Sequence, residues 1–405
     1  MHARLIRSLS VVFAASLAVA GAHAGPLTPP AGAPSGTDKP LSEVEPRIAI
    51  NSVNTPGDAD SRYRITQPGS YYLTRTTGIS GAEHGIEIAS DNVTIDLMGF
   101  TLFSADPFPI GSPPISLDGI RGDPAGGSIS FYYNITIRNG VIRGFGEDGI
   151  NVRGRNCRFE DLQLDDNLGR GLKTFSSSLI AHCHAFRSGG NGFEAASNSV
   201  FLHCTAEDNG GVGFDIGEFG MAMGCASSDN DEAGFAVKQA CRVVDCVAFS
   251  SPIGFDVGPD SQVSGCVAAL SGVGIYARSG DGRGPLISAC LVSNGGTGIL
   301  LEGSSYVVDN RIDGCTNSGI RVEGSHNRIE GNHVRDTLVD GFDVVGSGNL
   351  LVRNTAADNG TDYDIVAGNR YGTIVNLIPP GTPAVSGPSS PSTVMTTDPW
   401  ANFAH

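Results

Sequence analysis

Three side chains suited to acid–base chemistry follow one another at equal spacing. Lys173, Glu194 and Asp215 each stand 21 residues apart. Two neighbouring carboxylates can serve as the acid and the nucleophile of a retaining glycosidase, and carboxylates beside a lysine can hold Ca²⁺ against an acidic sugar while the lysine removes a proton. An ordinary ion-paired surface would carry the same residues. The choice depends on the element that repeats every 21 residues.

That element is a short unit, Gly-(Phe/Ile/Leu)-x-(Val/Ile/Ala), which recurs with steps of 20 to 24 residues. Its ten regular copies begin at Gly149, Gly171, Gly192, Gly213, Gly234, Gly254, Gly274, Gly298, Gly319 and Gly341. A second marker precedes most of these glycines by eight or nine residues, first as cysteine and then as asparagine: Cys183, Cys204, Cys225, Cys246, Cys266, Cys290, Asn310, Asn332 and Asn354. Because cysteine and asparagine exchange in one column, the column marks a position in the fold.

The repeat predicts an all-β fold, a right-handed parallel β-helix. Between the markers lie runs of three to five β-branched or aromatic residues bounded by Gly, Asn, Asp and Ser, which is typical of short strands. A leucine-rich repeat would need a Leu-x-x-Leu-x-Leu core that this chain lacks. A coil of three short strands and three bends closes on itself, and coils stacked about 4.8 Å apart bury one continuous core. We expect a single solenoid of about a dozen coils.

Side-chain alternation places the candidate residues on the outside of this solenoid. The second and fourth residues of each unit point inward and the third points outward. Stacking turns the third position into an exposed column: Asn151, Lys173, Glu194, Asp215, Ala236, Asp256, Tyr276, Leu300, Arg321 and Asp343. Lys173, Glu194 and Asp215 then fall on successive coils and span about 10 Å. They are our candidate catalytic residues, with a plain surface ion pair as the alternative.

The glycine units and the Cys/Asn column resemble those of right-handed parallel β-helix proteins of the pectate-lyase-like group, over about residues 84–366. The resemblance implies the fold, an asparagine ladder, and a substrate cleft along a face such as the Lys173 column. It leaves the activity open, because the group includes polysaccharide lyases, polygalacturonases, alginate epimerases, phage tailspikes and many exported proteins. The Gly-His-Gly of polygalacturonases and the Asp-Pro-His-Asp of alginate epimerases are missing here.

The nine cysteines allow three interpretations. Neighbouring coils would put Cα atoms at a distance that a disulfide tolerates, although parallel Cβ vectors in a stack disfavour the bond. Buried packing thiols are the second interpretation, since free cysteine behaves as a small hydrophobe. A metal site is the third, and the lack of a Cys-x-x-Cys pair counts against it. Cys157, Cys241 and Cys315 lie outside the column.

Two further clusters have a functional and a structural interpretation. His182, His184 and His203 fall on adjacent coils, where they either bind Zn²⁺ with a nearby acid or are simply exposed. Acidic turns precede several glycine units, and Asp and Asn favour turns because they tolerate left-handed backbone geometry. These turn residues, whose stacked acids could also bind Ca²⁺ weakly, are Asp165, Asp166, Asn167, Asp208, Asn209, Asp229, Asn230, Asp231, Asp358 and Asn359.

The net charge and the terminal segments indicate which partners the protein can bind and where in the cell it is located. A net charge of −16 argues against a nucleic-acid binder, since phosphate contacts need clustered Lys and Arg. Residues 1–24 have the basic start, apolar run and Ala-His-Ala cleavage site of a signal peptide, and the apolar run is too short to span a membrane. We therefore expect a secreted, periplasmic or cell-envelope protein. We expect a flexible leader over 25–39, N-terminal cap strands over 40–83, the β-helix over 84–378 and a Pro/Ser-rich tail over 379–405.

Two functions fit this sequence. The first is an exported protein that binds a polysaccharide or cell-surface glycan and, if catalytic, cleaves or epimerises it as a lyase or glycoside-hydrolase-like enzyme, with Ca²⁺ as the candidate cofactor. Its groove aromatics would be Tyr276 in the column and Tyr132 and Tyr133 in the insertion 103–133. The second is a non-catalytic structural or adhesion rod. A polyanionic ligand would need bridging Ca²⁺ or a local positive patch, for which the candidates are Arg153, Arg155, Arg158, Arg170 and Lys173.

Overall fold

The computed structural model describes residues 45–105, 117–123, 130–376 and 396–405. The chain divides into residues 1–46 and 47–405, and all the strands described belong to the second unit. The predicted signal peptide and leader lie outside the described residues. Every regular element among the described residues is a β-strand, and their pairing is parallel throughout the two sheets. The predicted parallel β-helix is therefore confirmed. No helix in the described part of the chain is long and apolar enough to cross a membrane.

Each coil contributes strands to three faces. The first face contains the glycine units and consists of strands that pair in chain order. Its strands are Ser61–Ile65, His84–Ile88, Ile120–Gly122, Ile150–Arg155, Leu172–Ser176, Phe193–Ala195, Phe214–Ile216, Ala233–Val237, Ile253–Val257, Val273–Ala277, Thr297–Leu301, Ile320–Val322, Asp340–Val344 and Thr361–Ile365. A short strand, Tyr132–Tyr133, pairs with the end of Ile150–Arg155. Because Ser61–Ile65 already pairs in parallel with His84–Ile88, the solenoid begins before the glycine unit at Gly85.

The other two faces complete each coil. The second face comprises Ile48–Ala49, Gly69–Tyr72, Val93–Asp96, Leu179–Ala181, Val200–Leu202, Met221–Met223, Arg242–Val244, Gln262–Ser264, Leu286–Ser288, Tyr306–Val308, Arg328–Glu330, Leu350–Val352 and Arg370–Tyr371. The third comprises Thr77–Ile79, Thr101–Ser104, His184–Phe186, Thr205–Glu207, Ala226–Ser228, Val247–Phe249, Val267–Ala269, Leu291–Ser293, Arg311–Asp313, His333–Arg335, Thr355–Ala357, Ile374–Asn376 and Asn402–Ala404. Two long strands, Thr136–Arg143 and Arg158–Asp165, cross both faces.

The core is a stack of inward-pointing side chains repeated from coil to coil. The phenylalanines that follow the glycines are fully buried, and their rings stack: Phe214 lies 4.8 Å from Phe235, and Phe235 lies 4.8 Å from Phe255, between ring centres. Each such ring stabilises the fold by about 2–3 kcal/mol through burial alone. A single coil has no second layer of its own to bury its ring, so the coils are stable only as a stack.

The bends share one construction. A residue in the left-handed region turns the chain, and the residue after it points inward. Asp208, with φ of 55°, is followed by the buried Asn209, and His203, with φ of 51°, is followed by the buried Cys204. The turn prediction is therefore correct for Asp166, Asp208, Asp229 and Asp358, whereas Asp165 ends the strand Arg158–Asp165. It is wrong for the asparagines, because Asn209 is buried and its amide donates to Ala185 O at 3.3 Å and to Asn230 Oδ1 at 2.9 Å.

The Cys/Asn column lies at the bend between the second and third faces, and the structure explains why the two residue types exchange. Cys204 Sγ donates to Ile180 O of the preceding coil at 3.5 Å, and Asn332 Nδ2 donates to Val307 O at 3.0 Å. Each therefore satisfies a carbonyl of the coil before it. All nine cysteines are buried and free, which favours the packing-thiol interpretation.

The asparagine part of the column has a member that the spacing did not reveal. Asn354 is followed by Asn402, whose Oδ1 accepts the Asn354 backbone N–H at 2.9 Å. The C-terminal strand Asn402–Ala404 lies between Thr355–Ala357 and Ile374–Asn376, out of chain order. The lone Trp400 packs against the body here, with the Arg353 guanidinium 4.3 Å from its ring centre.

We expect Asn332→Ala to lower the free energy of unfolding by about 2–4 kcal/mol, because it leaves buried polar groups on two neighbouring coils without hydrogen-bond partners. Asn332 Oδ1 accepts both the backbone N–H and the side-chain amide of Asn310, at 3.0 and 2.9 Å. The matched control is Asn317→Ala at an exposed position, with an expected change within about 0.5 kcal/mol. Urea unfolding followed by circular dichroism measures both, and equal losses would refute the ladder's role.

Candidate functional site

The three predicted catalytic side chains lie side by side on the first face. Lys173 is in register with Glu194, and Glu194 with Asp215. The outward column continues without a break in register to Ala236, Asp256, Tyr276, Leu300, Arg321 and Asp343. The period of the glycine units therefore predicted the neighbours in this column correctly. Whether the three side chains catalyse anything stays a prediction.

Each of the two carboxylates is already paired with cations. Glu194 accepts a hydrogen bond from Arg170 Nε through Oε2, and its Oε1 lies 3.5 Å from Lys173 Nζ. Asp215 Oδ1 lies 3.6 Å from Lys238 Nζ. Burial raises the pKa of Asp215, and Lys238 opposes that shift. Glu194 is thus a carboxylate paired with two cations. Asp215, on the next coil, is a carboxyl that binds its proton more tightly than usual.

A cleft of about 340 Å³ opens at Lys173, on the side away from Glu194. Its lining consists of Asp123, Asn151, Val152, Arg153, Lys173, Thr174 and Phe175. Five of its seven lining residues are polar or charged, so the cleft suits a polar or charged ligand better than an apolar one.

An aromatic pair with two arginines lies beside this cleft, and of these four residues Phe175 and Arg153 line it. The Phe131 and Phe175 ring centres are 4.4 Å apart. The Arg155 guanidinium carbon lies 4.1 Å from the Phe131 ring centre, and that of Arg153 lies 5.3 Å from it. Phe131 comes from the insertion 103–133, whose described residues are 103–105, 117–123 and 130–133. The predicted groove aromatics of the same insertion, Tyr132 and Tyr133, pair with Gly154 and Arg155 and do not line this cleft.

These two arginines differ from three other arginines of the first face. Arg121, Arg278 and Arg321 lie within 4.0 Å of a carboxylate, those of Asp123, Asp256 and Asp343 respectively. Among the residues that the structure describes, neither Arg153 nor Arg155 has such a partner, and Arg155 Nε is buried without a hydrogen bond. Of the predicted positive patch, Arg153, Arg155 and Lys173 come together at the cleft. Arg170 is engaged by Glu194, and Arg158 pairs with Glu160 on the second face.

A buried polar ladder runs along the edge of the first face, one residue before each glycine. His84 Nδ1 accepts the Asp118 backbone N–H at 2.8 Å, Asp118 Oδ1 accepts that of Asp148 at 3.1 Å, and Asp148 Oδ1 accepts that of Arg170 at 2.7 Å. Asp148 is only 1% exposed. Burial, with Asp148 nearby, raises the pKa of Asp118 to about 7. The spacing analysis missed this ladder, although the repeated His/Asp-Gly-Ile at 84, 118 and 148 is its signal.

The histidine cluster does not form a metal centre. The rings of His182 and His203 stack with centres 5.9 Å apart at a bend, while His184 lies on the third face, 3.8 Å from Glu207 Oε2. In the described residues, the groups of three metal-type ligands that come close together are Asp58 with Asp60 and Glu87, and Asp340 with Asp343 and Asp364. Neither group contains a histidine or a member of the Lys173–Glu194–Asp215 set.

Tyr276 does not belong to the cleft either. Its hydroxyl donates to Glu302 Oε1 at 2.5 Å, and the Arg278 guanidinium lies 4.3 Å from its ring centre. Tyr276 is thus held in an ion-pair network further along the column, which leaves Phe131 and Phe175 as the aromatic residues at Arg155.

Comparison with known families agrees with this architecture. The model of the right handed beta helix region matches residues 120–236 and 229–376, which together make up more than half of the chain. The chain belongs to the right-handed β-helix family. No curated protein sequence matches this β-helix chain.

Solved structures similar to this β-helix share its fold at low identity. The A-module of Azotobacter vinelandii mannuronan C-5 epimerase AlgE4 is 13% identical, with 72% of this chain and 86% of that chain covered and a TM-score of 0.41. The tailspike protein of E. coli bacteriophage HK620, solved in complex with pentasaccharide, is 13% identical, with 76% and 62% covered and a TM-score of 0.46. The Agl-KA catalytic domain is 11% identical, with 78% and 62% covered and a TM-score of 0.43.

Asp118 predicts a pH dependence of stability. A carboxyl group whose pKa is about 7 in the fold and about 3.9 in the unfolded chain binds its proton more tightly when folded. Its contribution is therefore complete at acidic pH and is lost as the pH rises from about 4 to about 7. We expect Asp118→Asn to remove this loss, so the variant should gain stability over the natural chain as the pH rises.

Melting temperatures of both proteins at pH 4.5, 6 and 8 measure the effect. His84 works in the opposite direction, since burial lowers its pKa. Because its Nδ1 lies 3.8 Å from Asp118 Oδ2, the same comparison in a His84→Gln background separates the two contributions. A difference in melting temperature that stays constant from pH 4.5 to pH 8 would contradict the assignment.

Proposed function

We propose that this protein is exported and binds a polysaccharide that carries acidic groups, in the cleft between Asn151, Lys173 and the Phe131–Phe175 pair. One observation carries the proposal: Arg153 and Arg155 pack on an aromatic pair beside this cleft and have no carboxylate partner among the described residues. The signal sequence supports export to a compartment where such polymers occur.

Guanidinium groups held in this way suit an acidic ligand. Arginine presents a planar fork of donors that matches carboxylate and phosphate geometry, and stacking on an aromatic ring fixes the fork in place. Packing on the Phe131 ring, 4.1 Å from its centre, lowers the cost of ordering Arg155 on binding, because the side chain is already held. The chain as a whole is negative, with a net charge of −16, so an acidic polymer needs a local concentration of positive charge. Arg153, Arg155 and Lys173 supply it, and no bridging Ca²⁺ is then needed.

Hydrolysis is a second candidate activity, favoured by the raised pKa of Asp215. A carboxyl that binds its proton more tightly than usual suits a general acid, and Glu194 on the adjacent coil, about 5 Å away along the stack, is at the distance of a retaining nucleophile. Against this, Arg170 and Lys173 already engage Glu194, and Lys238 engages Asp215. Because both carboxylates are already engaged in ion pairs, the site favours binding of a polymer without its cleavage. A structural or adhesion role would follow.

We expect Arg153→Ala and Lys173→Ala each to weaken binding of an acidic polysaccharide by about tenfold or more, which corresponds to about 1.4 kcal/mol for one charged hydrogen bond. Titration calorimetry on residues 25–405 with uronic-acid and neutral polymers measures the affinity. Arg242→Ala, at an exposed position on the second face, is the matched control and should leave the affinity unchanged. Equal loss in all three variants, or equal affinity for neutral polymers, would refute the proposal.

The same samples decide between binding and turnover. Polymer size followed by light-scattering chromatography should stay constant if the site only binds. If the polymer shortens, Glu194→Gln and Asp215→Asn should stop the shortening while the calorimetric affinity remains, because neither residue lines the cleft. Shortening that persists in both variants would remove hydrolysis by this pair from consideration.

A further inference from the structure

The last coils contain a strand position that a distant part of the chain fills. Asn402–Ala404 pairs in parallel with Thr355–Ala357 on one side and with Ile374–Asn376 on the other. In the other described coils that have both strands, the third-face strand follows its second-face strand directly in sequence. Residues 377–395 connect Ile374–Asn376 to the C-terminal segment, a stretch of 19 residues that contains five prolines. We call the position between Thr355–Ala357 and Ile374–Asn376 the end slot.

The end slot recognises the inserted strand through one asparagine. Asn402 is fully buried and its Oδ1 accepts the Asn354 backbone N–H and side-chain amide, at 2.9 and 3.2 Å. Its Nδ2 donates to Gly372 O at 3.0 Å and Leu351 O at 3.3 Å. Both polar atoms of the amide are thus satisfied, as at the earlier asparagines of the column. A strand without an inward asparagine would leave the Asn354 amide without this partner.

The tail also binds outside the ladder, always to the same short stretch of the solenoid. Arg353 Nε donates to Pro399 O at 3.3 Å, Thr373 Oγ1 donates to Asp398 Oδ2 at 3.2 Å, and Tyr363 Oη donates to Phe403 O at 3.0 Å. These partners lie between residues 353 and 373, so the tail behaves as a peptide bound to a compact site. Its binding contacts do not depend on which copy of the chain supplies it.

A second segment has the features to fill the same slot. Asn310, Asn332 and Asn354 follow one another at steps of 22 residues, and one more step reaches Asn376. Asn376-Leu377-Ile378 has the same asparagine-x-apolar order as Asn354-Thr355-Ala356 and Asn402-Phe403-Ala404. In the structure Asn376 lies one layer further out, in register with Ala404. The sequence thus has a further asparagine at the spacing of the column, although Asn402 is the residue that occupies the end slot.

We propose that two copies of this chain exchange their C-terminal strands, each placing Asn402–Ala404 in the end slot of the other. The contacts made in exchange are the same as those within one chain, which is why swapping an element costs little. Fully extended, the 19-residue connection reaches about 60 Å, enough to enter a second copy whose last coil faces the first. The last coils expose apolar side chains, which favours contact between two copies at this end. These side chains are Val366, Tyr371 and Ile374, which are 41, 54 and 36% exposed.

Short-range crosslinking between full chains tests the exchange. Thr355 and Phe403 are register partners, and both side chains are partly exposed. Chains carrying Thr355→Cys are mixed with chains carrying Phe403→Cys and treated with a short bis-maleimide. We expect a covalent dimer of twice the chain mass. Phe403→Cys mixed with Arg311→Cys is the matched control, since Arg311 lies on the same face two coils away and should give no dimer.

The double variant Thr355→Cys/Phe403→Cys in one chain reports separately that the end slot holds its strand. Crosslinking within this double variant together with no dimer from the mixed single variants would show that each tail stays in its own slot, and would overturn the proposal. Dimer formed equally in the Arg311→Cys mixture would also overturn it, because the contact would then be unspecific. A dimer confined to the Thr355→Cys mixture supports exchange.

Discussion

Everything in this molecule depends on parallel hydrogen bonding between coils that stay in register. A shift of one residue would turn every inward side chain outward. Two features prevent that shift. The stacked phenylalanines can be buried only when the glycine units align, and each inward asparagine or cysteine at a bend bonds the coil before it, as Asn332 does with Val307 and Cys204 with Ile180. Register is therefore fixed by apolar burial along the strands and by polar contacts at the bends.

The candidate site follows from that register. Side chains 21 residues apart in sequence become neighbours about 5 Å apart, so a single column can collect charge on one face. Most of the column's charges neutralise each other, as Arg278 does with Asp256. Around Phe131 and Phe175 this pattern breaks, because two guanidinium groups pack on rings instead of on carboxylates. Among the described residues, this part of the first face thus has a local excess of positive charge next to a cleft.

The period of the sequence was enough to predict the fold, the order of the outward column and the inward Cys/Asn column, because these depend only on equal spacing. It could not predict contacts made by segments that break the period. Phe131 reaches Arg155 from an insertion, and Asn402 reaches Asn354 from 48 residues away. The ladder of Asp118 and Asp148 was missed for another reason: an acid next to a glycine looks like an ordinary turn until its burial is known.

Hydrogen–deuterium exchange of residues 25–405 with and without a uronic-acid polymer tests the central claim most directly, since it locates the ligand without altering any residue. The proposed cleft predicts slower exchange in Ile120–Gly122, Tyr132–Tyr133, Ile150–Arg155 and Leu172–Ser176, with the second face unchanged. Slower exchange confined to the second or third face, or to coils beyond Asp215, would show that the positive cluster at Phe131 and Phe175 is not where the protein binds its ligand.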